Sequence, residues 1–108
     1  MSNEQKQTGD LVKERVVPTV VPKKDEPKLF KVVLMNDDYS TMEFVVQVLE
    51  TVFQKSPAEA FRIMMQVHTQ GAGIAGIYPW EVADTKVETV TTMAKTAGFP
   101  LRAITEEA

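Results

Sequence analysis

Asn36-Asp37-Asp38 sets an amide and two adjacent carboxylates directly behind the apolar run LFKVVLM. A turn at that point needs one Asn or Asp, whose side chain bonds nearby backbone and tolerates turn geometry. Three such residues exceed what capping requires, and the surplus acceptors suit a metal cation or the ammonium of a ligand. Turn chemistry plus helix capping is the plainer alternative. His68, the single histidine, falls on a stripe with Phe61, Met64 and Met65. A histidine on an apolar face is commonly a satisfied core residue. Together with Asp37 and Asp38 it could also hold a divalent metal in a small metal-dependent enzyme, although no His-x-x-x-His spacing supports this. Met42, Met64 and Met65 are core filler by default, yet flexible thioethers also suit a pocket that accepts several apolar shapes. Acceptors, an imidazole and a methionine-lined hollow describe a site for a ligand with a positive head and an apolar side chain.

Other chemistries are excluded or poorly supported. The glycine stretch GAGIAG lacks the Gly-Lys-Ser/Thr ending of a phosphate loop and runs into strand-like residues. No cysteine is present, so thiolate sites and disulfides are excluded. The histidine has no marked serine partner, so no activated nucleophile stands out and no enzyme is expected.

The elements that must position these groups follow from periodicity and caps. LFKVVLM is short, β-branched and closed by a polar turn, so it reads as a strand from Leu29. Ser40-Thr41-Met42-Glu43 and Ser56-Pro57-Ala58-Glu59 both fit the capping box, and Pro57 suits a first helical position. Phe44, Val45, Val48, Leu49 and Val52 then recur at helical spacing, as do Phe61, Met64, Met65 and His68. Two helices of about four turns are predicted. Ile74 to Tyr78 suits a short strand in which Gly76 marks a close backbone approach. Pro79 opens a third helix with Ala83, Val87, Val90, Ala94 and Ala97 on one face. Gly98 stops it, and LRAIT forms a last strand. The order β-α-α-β-α-β predicts an α+β fold, a small three-stranded antiparallel sheet packed against three helices.

At 108 residues, 44% of them apolar, the chain supports one domain. Its net charge of −3 argues against a nucleic-acid binder. No apolar run approaches the roughly 20 residues of a membrane span. MSNEQKQTGDLVKERVV has no continuous apolar core of the kind a secretory signal needs, so a cytoplasmic location is expected. All eight aromatic residues lie after position 28, and residues 1–28 hold three of the six prolines. Residues 1–28 are therefore expected to be a flexible extension, inert or docking into a partner, and 29–108 the folded domain.

NDDYSTMEFVVQVLE, MMQVHTQGAGIAGIY and EVADTKVETV, in that order and spacing, resemble the ClpS family. These are adaptors that deliver N-degron proteins to the AAA+ protease ClpAP. The resemblance spans about residues 28 to 107 and implies the same β-α-α-β-α-β domain behind an N-terminal extension. It implies that Asn36, Asp37 and His68 hydrogen-bond the free α-amino group of a bound peptide, with Asp38 in the same motif. Met42 matches a gatekeeper that excludes β-branched side chains. Val45, Met64, Val67 and Leu101 match positions lining the hydrophobic pocket. Glu81 and Lys86 match surface positions that meet the N-terminal domain of the ATPase, and the extension matches the segment that the unfoldase engages. The implied ligands begin with Leu, Phe, Tyr or Trp. The implied partners are a ClpA-type AAA+ unfoldase and N-degron substrates, with no cofactor, nucleic acid or membrane. A monomer in the bacterial cytoplasm or a plastid is expected. The chain departs from the family pattern at Thr41, where Pro is usual, at Pro79-Trp80, where Thr and a small residue are usual, at Ala75, where Cys is usual, and at Arg102-Ala103.

Overall fold

The computed structural model describes residues 26–108, so the expectation for the N-terminal extension lies almost wholly outside them. The elements are β1 (Leu29–Met35), α1 (Met42–Thr51), α2 (Pro57–Gln70), β2 (Ala72–Pro79), α3 (Trp80–Ala97) and β3 (Arg102–Glu107). The predicted order is therefore observed. β1 is the central strand of an antiparallel sheet ordered β2-β1-β3. Alternation along β1 sends Val32 and Leu34 into the helical core. Val33 faces the other way, in register with Ile74 and Ile104. Between Val32 and Val33 the register on β2 skips Ala75, a bulge that allows Ala75 to be fully buried while Ile74 and Ile77 stay exposed.

The helices cover one face of the sheet. Val48, Leu49, Ile63 and Val90 are almost fully buried and join Val32, Leu34, Ala75 and Ala103 in a single core. Two expectations about the helices change. α1 has 10 residues, close to three turns, whereas α2 with 14 residues has the predicted four. The core stripe of α2 is Ala60, Ile63, Met64 and Val67, not Phe61 and His68, both of which are exposed. Leu101, Met64 and Val67 fill the space beside the sheet, so Phe61 and His68 rotate to the rim. In α3, Ala83, Val90 and Ala94 are buried, Val87 packs partly, and Ala97 is exposed.

Caps account for the boundaries. Ser56 caps α2 as expected, accepting from the Glu59 amide at 3.2 Å. α1, however, is capped by Thr41 and not by Ser40: Thr41 Oγ1 accepts from the Phe44 amide at 3.0 Å. The Ser40 amide is already bound to Asp37, which keeps Ser40 in the turn and starts the helix one residue later. Thr41 thus does the capping at a position where Pro could not. Thr41→Ala is expected to cost ~1 kcal/mol of stability, while Ser40→Ala, which leaves this cap in place, should cost less. Urea denaturation midpoints of the two variants check the assignment. At α3, Pro79 provides no side-chain cap. Trp80 instead packs edge-on against Phe30, ring centroids 5.4 Å apart, and fastens the start of the helix to the sheet.

Candidate functional site

The site forms where β1 ends beside the C-terminus of α2. Gly71 closes α2 in the left-handed region at φ 90°, a conformation that favours glycine. Its carbonyl accepts the Asn36 amide at 3.0 Å, one step beyond the Met35–Ala72 pair of the sheet. That bond sets the acceptor-rich turn against the end of α2, and so brings Asn36 to His68 although 32 positions separate them. Both residues line one hollow.

The rest of the wall is mainly apolar. Met42 and Val45 come from α1, Met64 and Val67 from α2, and Ser40 from the turn. The hollow holds ≈ 20 Å³ of water-accessible space, room for about one water. Val45, Met64 and Val67 are buried, whereas Met42 is 45% exposed and forms the open side. Asn36, Met42, Val45, Met64, Val67 and His68 thus converge on one hollow, with four qualifications. Asp37 is absent from this wall, and its turn reaches the hollow through Asn36 and Ser40. Leu101 is packed in the main core and is absent from this wall. Asp38 is exposed in the turn. Ser40, read from sequence as a cap, is a wall residue instead. Its signal was the second hydroxyl at Thr41, which left Ser40 free of capping.

Asp37 organises the turn. Its Oδ1 accepts from the amides of Tyr39 and Ser40, each at 2.7 Å. Burial works to raise its pKa, but the Ser40 amide, the Ser40 hydroxyl and the Tyr39 amide outweigh this and hold the carboxyl below its ordinary value. Asp37 is therefore a carboxylate at neutral pH. Its second oxygen, Oδ2, is buried with no hydrogen-bond partner, and the same is true of Ser40 Oγ, which sits close enough to favour the charge without good bonding geometry. Two orphaned buried oxygens, one from the wall residue Ser40 and one from Asp37 in the same turn, cost free energy unless a donor meets them. Among the described residues no group of three or more His, Asp or Glu side chains could hold a metal ion. Asp37, Asp38 and His68 do not form the set that the metal-enzyme reading required.

Glu81 and Lys86 lie on α3, away from the hollow. Glu81 is exposed at the first turn. Lys86 is engaged internally: its ammonium donates to the carbonyl of Val52, the C-cap of α1, at 2.6 Å, and to Gln54 Oε1 at 3.3 Å. It also lies 5.2 Å from the Tyr78 ring centroid. A cation at a helix C-terminus satisfies carbonyls that have no partner within the helix. Among the described residues no helix is long and apolar enough to cross a membrane.

Comparison with known proteins identifies the family. Residues 25–104 match the family model of the ATP-dependent Clp protease adaptor protein ClpS. The chain is 57% identical over 82 residues to the ATP-dependent Clp protease adapter protein ClpS of Wolinella succinogenes, covering 76% of this chain and 80% of that protein. It is 56% identical over 94 residues to the one from Desulfatibacillum aliphaticivorans, covering 87% and 86%. Among solved structures it is similar to Agrobacterium tumefaciens ClpS2 bound to L-phenylalaninamide. That likeness has a TM-score of 0.74 and 42% identity, and covers 77% of this chain and 100% of the other. Fold and sequence agree, and the chain belongs to the ClpS family of Clp protease adaptors.

Proposed function

We propose that the hollow reads the first residue of N-degron proteins, taking a bulky apolar side chain inside and the free α-amino group at its polar rim. The observation that carries this is the pair of unpartnered buried oxygens, Asp37 Oδ2 and Ser40 Oγ, in the turn whose Asn36 and Ser40 line the apolar hollow. Only an N-terminal residue places an ammonium and a side chain on one carbon. Asp37, Asn36 and His68 receive the ammonium, and Val45, Met64 and Val67 receive the side chain. Asp38, exposed in the same turn, adds negative potential at the mouth. L-phenylalaninamide, the ligand of the Agrobacterium relative, has this chemistry: a free amine, a benzyl group, and an amide where a chain would continue.

At ≈ 20 Å³ the hollow is too small for such a side chain as it stands. Met42, unbranched and 45% exposed, swings aside to admit it. Burying Leu or Phe contributes ~1.5–3 kcal/mol, and each hydrogen bond to a charged group ~1.5–3 kcal/mol. After the costs of association, roughly micromolar affinity results. Delivery goes to a ClpA-type unfoldase of the ClpAP protease in the cytoplasm, through the α3 surface that carries Glu81. Lys86, fixed to the end of α1, acts there by holding that surface in place and by its residual charge. The chain acts as an adaptor and performs no chemistry of its own. Titration with free peptides that differ only at residue one tests the reading. Peptides starting with Leu, Phe, Tyr or Trp should bind at least tenfold more tightly than those starting with Gly or Ser. Equal affinity across the panel sinks it.

A further inference from the structure

A second apolar feature continues from the hollow. Between α1 and α2 runs a groove of ≈ 380 Å³ lined by Met42, Glu43, Val46, Phe61 and Met64. Met42 and Met64 belong to both the groove and the hollow, so the two are continuous across a methionine lip. Phe61 is 57% exposed and Met42 45%, and no described residue covers them.

The axis of α2 gives the groove a direction. Phe61, Met64 and His68 stand at i, i+3 and i+7, on one side of the helix. With ~1.5 Å of rise per residue, Phe61 lies ~10 Å from His68 along the axis, with Met64 between them. An amine held beside Asn36 and His68 ends its peptide at the His68 end, so the chain must leave elsewhere. The methionine lip is the continuous apolar route. In an extended peptide the side chains of residues one and three point to the same side, ~6.6 Å apart. When the first fills the hollow, the third comes level with Met64 and Phe61.

We propose that this groove is a subsite for the third residue of the bound peptide and selects an apolar side chain there. The inference rests on the reading of the hollow as the site of residue one. Phe61 supplies the floor of the groove, Val46 and Met64 its sides, and Glu43 a negative edge that disfavours Asp or Glu in the ligand.

The test uses the full chain and fluorescent peptides with free amines, Phe-Gly-X followed by a common polar sequence, X being Leu, Ser or Asp. Leu should bind about tenfold more tightly than Ser, part of what full burial of a leucine supplies, and Asp more weakly than Ser. Phe61→Ser, on an exposed position, should erase the Leu-over-Ser ratio. A Leu-over-Ser ratio near one, with Phe-initiated peptides still outbinding Gly-initiated ones, overturns the subsite and leaves the first-residue reading standing. Selectivity at residue two in place of residue three overturns it as well. Loss of the first-residue preference strikes the reading beneath it.

Discussion

Replacing Asp37 by Asn should weaken binding of a free Phe-initiated peptide by roughly 10- to 100-fold while leaving the turn folded. The two oxygens of this carboxylate have separate duties, and this is what makes the substitution informative. Oδ1 accepts the Tyr39 and Ser40 amides, a task the carbonyl oxygen of an amide performs equally well. Oδ2 is buried and unpartnered, and there Asn would present a donor to the ligand ammonium. A charge-assisted hydrogen bond is worth ~1.5–3 kcal/mol, which converts to the stated range at ~1.4 kcal/mol per tenfold. Acetylation of the peptide removes the ammonium from the other side of the same contact, and should weaken binding to the unaltered protein by 100-fold or more, because several bonds go together. Combining the two gives a double-mutant cycle: Asp37→Asn should cost the acetylated peptide almost nothing. Equal losses for free and acetylated peptides would show that Asp37 shapes the turn only. Equal binding of the two peptides to the unaltered protein would remove the ammonium from the account altogether.

The pH dependence has a definite sign. The folded-state pKa of Asp37 lies below its ordinary value, so its stabilisation is fully present above the unfolded value of about 4 and is lost as pH falls through the lower folded value. Above pH 5, Asp37 therefore contributes no change in stability and keeps its own charge constant. The Asp37→Asn variant should lose the Asp37 share of the acid transition, seen as a smaller drop in thermal midpoint between pH 5 and pH 3.

Elements were more legible in the sequence than faces. The strand LFKVVLM, the Ser56-Pro57 start and the Gly98 stop depend on local chemistry, and each stands where local rules place it. The buried stripe of α2 lies one position N-terminal to the one that its large residues suggest. Ala60 and Ile63 are in the core while Phe61, larger than either, is 57% exposed. An aromatic ring left at the surface beside a pocket is set by tertiary context, which a single period does not encode. The α1 cap shows a competition of the same kind. Ser40 and Thr41 are both competent caps, and Asp37, by taking the Ser40 amide, decides between them. The approach of Asn36 to His68 depends on one bond to Gly71, at the junction of sheet and helix. No local pattern marks a pairing between positions 36 and 71, and the likeness of three separated motifs to the ClpS family marked it only indirectly.

That junction also contains a position where an added methyl group has no room. Gly73→Ala is expected to cost ~1–3 kcal/mol, the range for overpacking a filled core, and to lower the thermal midpoint by several degrees. A methyl group built on Gly73 would lie 2.9 Å from Val67 Cγ2 and 3.3 Å from the Ile63 carbonyl oxygen. Neither neighbour yields easily. Val67 is β-branched and 3% exposed, so it has few rotamers to escape into, and the Ile63 oxygen belongs to the α2 backbone. The glycine is therefore what lets α2 lie close to β2. Relief would come from moving Val67 or α2 outward. Since Val67, Met64 and His68 all line the hollow, the same substitution should weaken peptide binding as well as stability. Val67→Ala removes the clashing methyl and leaves a void in its place. The pair Gly73→Ala with Val67→Ala should then be more stable than the sum of the single losses predicts, by ~1 kcal/mol of favourable coupling. Strict additivity would mean that α2 slides on the sheet without engaging Val67, and the wall of the hollow would not be set by this contact. Favourable coupling accompanied by partial recovery of affinity would make Gly73, a residue that touches no ligand, the spacer that sets the width of the reader.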